Sequence, residues 1–158
     1  MMLIADAIAL HRAAVVPRLG PAIGAAERDV ASLEERLGCR LPRAYREFLL
    51  WMGEDRKGVL QGSDCFLGNV ESNEHDLIDL LSENGVPALA YRPIVFFLQQ
   101  GYLACWFHSE DPSADPEVFS FNEAIGGEGI RSLGRFTQWL HAELSQLAGH
   151  LQDIRGSC

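Results

Sequence analysis

The first third of the chain alternates apolar and polar positions at helical spacing. Ile4, Ile8 and Val15 fall near one face, and Pro17 is expected to end that helix. The cluster Pro17, Gly20 and Pro21 separates it from the rest of the chain. A second helix is predicted from near Gly24. Its stripe is Val30, Leu33 and Leu37, and Glu27, Arg28, Asp29, Glu34, Glu35 and Arg36 fill the other faces. Gly38 suits the left-handed residue that stops it. Leu41 comes next in an extended connector, and Pro42 suits the first turn of a third helix, where its missing N–H costs nothing. Tyr45, Phe48, Leu49 and Met52 form the apolar stripe of that helix, and Gly53 ends it.

The pattern then changes. "EDRKGVLQGSDCFLGN" reads as loop and turn with a short strand around 65–67. Asn73 is placed to cap a helix carrying Leu77, Leu80 and Leu81, which Asn84-Gly85 would stop. "PIVFFLQQGYLACWF" reads as a β-hairpin turning at Gln99-Gln100-Gly101. Its strands are apolar on both faces, so the sheet is expected to be covered on both sides. "HSEDPSADP" is a loop, "EVFSF" a third strand and "AIGGEGI" a flexible connection. "SLGRFTQWLHAELSQLAGH" reads as one closing helix with the stripe Phe136, Trp139 or Leu140, Leu144 and Leu147. Helices, then antiparallel strands, then a helix give the α+β class.

A length of 158 residues makes one domain the default, and 47% hydrophobic with 22% charged residues argues against disorder. No apolar run approaches the roughly 20 residues that span a bilayer. The opening segment is not read as a signal peptide, because Asp6 interrupts it and no basic residue precedes its apolar part. A cytoplasmic location is therefore expected. The four cysteines are widely spaced, which fits reduced thiols: Cys65 and Cys105 as small buried hydrophobes, Cys158 as an exposed terminal thiol.

Net charge is −9, unevenly spread. Residues 1–57 carry nine bases and eight acids, whereas 58–158 carry four bases and fourteen acids. From Asp64 to Glu128 there are twelve acids and one base, Arg92. Such a surface repels nucleic acid and anionic membranes and attracts a basic partner, although acids also serve solubility alone.

Catalytic signatures do not emerge. There is no HExxH, no GxSxG, and "GGEG" lacks the lysine and hydroxyl residue of a phosphate loop. The strongest metal candidate is His108 with Glu110, Asp111 and Asp115, without zinc or EF-hand spacing; the competing reading is a solvated acidic loop stiffened by Pro112 and Pro116. Arg40, Arg43 and Arg46 offer a phosphate contact, but Glu34, Glu35 and Glu47 are near enough to neutralise them. No catalytic residue, cofactor or metal is expected. Trp51, Trp106 and Trp139 each fit an apolar stripe or strand and are assigned to the core.

"GAAERDVASLEERLGCRLPRAYREFLLWMGE", "IVFFLQQGYLACWFHSED", "DPEVFSF" and "SLGRFTQWL", in that order, resemble the SUKH superfamily, also called the SMI/KNR family, over roughly 23–141. The residues before Gly24 have no counterpart, and Gly53-Glu54 stands where the family often has Asn-Gly. The resemblance implies a single α+β domain with a twisted, mainly antiparallel sheet flanked by helices, spanning 23–158 after an N-terminal helical extension at 1–22. It further implies a non-catalytic protein binder. One role is an immunity protein that neutralises a polymorphic toxin, often a nuclease; the other is a regulatory or scaffold protein holding a cellular partner. From charge, the expected partner-binding residues are Glu54, Asp55, Asp64, Glu71, Glu110, Asp111, Asp115 and Glu117, facing a basic toxin domain.

Overall fold

A computed structural model describes residues 1–156 of the chain; the thiol of Cys158 lies outside them. Helix α1 spans Ala5–Ala14 and α2 spans Val16–Leu19. Pro17 does not end the helical region as expected. It sits in the first turn of α2, where the absent N–H is harmless, and the chain leaves at Gly20 with φ 80°. Ile4 and Val15 are buried. The Glu47 carboxylate accepts the N–H groups of Leu3 at 2.7 Å and Ile4 at 3.2 Å, satisfying donors at the start of α1 from another helix.

Helix α3 (Glu27–Leu37) buries Val30, Leu33 and Leu37 and stops at Gly38, left-handed at φ 68°. It starts later than its apolar pattern suggests, because residues 23–25 have another task. They cross the end of α4 (Arg43–Met52), with the Ala25 N–H donating to the Leu49 carbonyl at 2.9 Å and the Glu54 N–H to the Ile23 carbonyl at 3.0 Å. Pro42 is the residue just before α4, whose buried face is Ala44, Tyr45, Phe48, Leu49 and Met52.

Three expectations in the middle and end of the chain are corrected. No strand forms at 65–67: Leu67–Asn69 make a short 3-10 turn, and the neighbouring pairing is the single bridge Ser63–Gln99. Helix α5 (Val70–Glu83) begins before Asn73, which is buried inside it and not at its cap. The Asn73 amide instead donates to the carbonyls of Asp64 at 2.7 Å and Val95 at 3.3 Å, bolting α5 to the loop and the sheet. Lastly, 131–135 are not helical. They form the edge strand β4 (Arg131–Arg135), and α6 runs Phe136–Gly156.

The sheet is an antiparallel meander of β1 (Pro93–Gln99), β2 (Leu103–His108), β3 (Glu117–Asn122) and β4. Gln100 and Gly101 both have positive φ, 49° and 73°, which makes the tight turn that matches strand twist. One sheet face shares a core with α3, α4 and α6 around Tyr45, Phe48, Phe96, Phe107, Phe136 and Trp139, and α1 packs on α6 at the edge of that core. The other packs on α5, where Leu77, Leu80 and Leu81 meet Val95, Leu98, Ala104, Trp106 and Phe121. A register shift between Val95 and Phe97 lets Phe96 and Phe97 both join the larger core. The result is an α+β domain with a four-stranded antiparallel sheet covered on both faces.

Candidate functional site

The eight acids expected to meet a partner do not share one environment. Asp55 is interior, at 5% exposure, so it is not available to a surface. It lies against Gly58, where a Cβ would fall 1.8 Å from Asp55 Oδ2, and burial raises its carboxyl pKa while His11 opposes the rise. Glu54 sits 3.9 Å from Arg56, and Glu71 pairs with Arg36 at 2.9 Å. Asp64 is exposed, and its backbone N–H donates to the Leu98 carbonyl at 2.7 Å.

The other four belong to the β2–β3 loop and its end. Asp115 holds the loop to α6: its Oδ1 accepts the Thr137 N–H at 3.0 Å and its Oδ2 the Thr137 hydroxyl at 2.7 Å. Asp111 shapes the loop by accepting the N–H groups of Ser113 at 2.9 Å and Glu117 at 3.3 Å. Glu117 accepts the Ser132 hydroxyl at 2.7 Å, and Glu110 is exposed. Glu110, Asp111 and Glu117 line one open depression of about 330 Å³ together with Tyr91, His108 and Phe119. None of these three carboxylates is in an ion pair among the described residues.

Tyr91 also walls a larger groove of about 600 Å³ between α5 and the connector that leads to β1. Leu77, Ile78 and Leu81 form its helix side, and Val86, Leu89 and Tyr91 its connector side. Tyr91 is well anchored. The Trp106 indole N–H donates to its hydroxyl at 3.1 Å, and its ring stacks on His108 at 4.2 Å. Arg92, on the rim, donates to the Leu37 carbonyl at 2.7 Å and faces Glu74 at 3.3 Å. Three more exposed acids, Asp76, Asp79 and Glu83, stand on α5. Charge counting alone passed over this groove, since its apolar residues look like core. One signal was present: Ile78 falls outside the Leu77, Leu80, Leu81 stripe and is 53% exposed.

No metal site is assembled among the described residues of this region. The His108 Nδ1 accepts the Glu110 N–H at 2.9 Å, and among the described residues no group of three or more His, Cys, Asp or Glu is placed to hold a metal ion. Burial pushes the thiols of Cys65 and Cys105 up to about 12, far from a thiolate at neutral pH. The arginines of α4 are engaged, Arg43 with Glu47 and Arg46 with Glu27 and Glu34. What remains is an apolar groove and an acidic depression on either side of one fixed tyrosine.

Among the described residues no helix is long and apolar enough to cross a membrane. The model of the SMI1 / KNR4 family (SUKH-1) matches residues 24–142 of the chain. No curated protein matches it.

Proposed function

Because the chain belongs to the SMI1 / KNR4 family (SUKH-1), we propose that it is a non-catalytic immunity protein that acts in the cytoplasm by binding and neutralising a toxin domain with a basic face, such as a nuclease. The observation that carries this reading is the set Glu110, Asp111 and Glu117, without ion pairs among the described residues, beside the apolar groove. Carboxylates without cations of their own present the field that a nucleic-acid-binding toxin face is built to meet. Apolar anchors would supply affinity, and the charges would supply association rate and selectivity.

The test is capture. The full-length chain is immobilised, exposed to host lysate at low salt and eluted with a salt gradient. Each identified partner is then expressed in cells with and without the chain. A basic protein that elutes late, stops growth alone and is tolerated in the presence of the chain supports the reading. A housekeeping protein whose expression is harmless would assign the chain to the regulatory role instead.

A further inference from the structure

Five features converge on the groove between α5 and residues 85–93. Its volume of about 600 Å³ matches that of ligand-sized clefts, and its lining is dominated by apolar side chains. Ile78 is a large apolar residue on α5 that the core does not use, and it lies at the groove. The walls are pre-formed: Leu77 and Leu81 are buried in the second core, and Tyr91 is held by Trp106 and His108. Arg92, the only base from Asp64 to Glu128, is already engaged by Glu74 and the Leu37 carbonyl. Across Tyr91, the carboxylates of Glu110, Asp111 and Glu117 are in no ion pair among the described residues, with Arg135 standing opposite Glu117 in the β3–β4 register.

We infer that this groove takes the apolar side chains of a basic partner segment, whose arginines or lysines cross Tyr91 to reach Glu110, Asp111 and Glu117. The inference rests on the reading of the chain as a protein binder. Charge decides the occupant. A second copy of the chain would bring its own net −9 to a face that is already acidic. Nucleic acid and anionic lipid are repelled for the same reason. An apolar anchor beside a cationic run satisfies both depressions at once, and the rigidity of Tyr91 means little ordering is needed on binding.

The test uses the full chain, isotopically labelled, and three short synthetic peptides. One carries Leu and Phe anchors followed by a run of arginines. In the second the arginines become glutamates, and in the third the anchors become serines. The first is expected to move the amide resonances of Ile78, Ser82, Val86 and Leu89 saturably, together with those of His108 and Glu110. The other two should bind at least about tenfold more weakly. Ile78→Lys, at an exposed position, and Glu110→Arg should each weaken the first peptide by about tenfold while the spectrum elsewhere stays that of the native fold. Unmoved groove resonances, equal binding of the glutamate peptide, or equal binding to Ile78→Lys would each overturn the inference. The parent reading fails differently. A captured toxin that binds Ile78→Lys as it binds the native chain refutes the groove and leaves immunity standing. Groove binding by the arginine peptide with no toxin captured refutes immunity and leaves the groove.

Discussion

The indole N–H of Trp106 donates to the Tyr91 hydroxyl at 3.1 Å, and this bond joins the sheet interior to the wall shared by both surface depressions. Trp106 is fully buried at 0% exposure, so its N–H has no solvent to turn to. Tyr91→Phe leaves that donor unpaired and should cost about 1–3 kcal/mol. The melting temperature should fall by about 2–4 °C for each kcal/mol at this chain length. Calorimetry that finds no change would show that the bond does not hold the wall.

Tyr45 gives the opposite expectation from the same kind of group. Its hydroxyl is buried and has no hydrogen-bond partner among the described residues, inside a ring of Phe48, Phe96, Phe107 and Phe136. Burial also raises its pKa, so it stays neutral. Tyr45→Phe removes an uncompensated desolvation and should be neutral or stabilising by up to about 1 kcal/mol, read by urea denaturation. A loss as large as that expected for Tyr91→Phe would contradict this.

Gly24 is needed for a close backbone approach. A Cβ there would stand 1.7 Å from the Leu50 carbonyl oxygen, and a backbone atom cannot rotate away. Gly24→Ala should therefore destabilise by about 2 kcal/mol or more. Gly149 is the control: it lies within α6 with nothing inside 4 Å of a built Cβ, so Gly149→Ala should stabilise by about 0.5–1 kcal/mol. Paired denaturation curves test both, and equal effects would contradict the account.

His11 sets one part of the pH response. It is 3% exposed, its ring meets Trp51 edge-on at 5.1 Å, and burial lowers its pKa below 6.5 even though Asp55 pulls the other way. The native state therefore binds fewer protons than the unfolded chain below pH 6.5, so this contribution is full above that value and is lost as pH falls through the lower native one. Asp55, to which His11 is coupled, acts in the opposite sense, since burial raises its pKa from 3.8 and its cost appears as pH rises above that value. Denaturation midpoints should rise as pH climbs toward 6.5 and level off above it, and His11→Phe should flatten that rise. An identical slope in the variant would assign it to other groups.

The helix pair α3–α4 was legible because three local signals agree: a stripe on each helix, Gly38 as a left-handed stop and Pro42 at the next start. The hairpin and β3 were legible for the same reason. Strand β4 was not. "RSLGR" is an exposed edge with Gly134 inside it, so it shows no apolar alternation, and the strong stripe from Phe136 onward drew it into the helix. The start of α5 was hidden because Asn73, a natural cap, gives its amide to the Asp64 and Val95 carbonyls. At the surface, the acidic charge of the β2–β3 loop was visible in composition. The burial of Asp55 was not, since it depends on a turn that brings its carboxylate against Gly58. Of the groove at Tyr91 only the off-stripe Ile78 was visible, because the groove arises from a connector meeting a helix.

Amide hydrogen exchange of the full chain, with and without the partner identified by capture, tests the binding face most directly. The account predicts protection on binding in the connector 85–92 and the loop 109–116, on both sides of Tyr91. Protection confined to α1, α3 and α4, with those two segments unchanged, would contradict it.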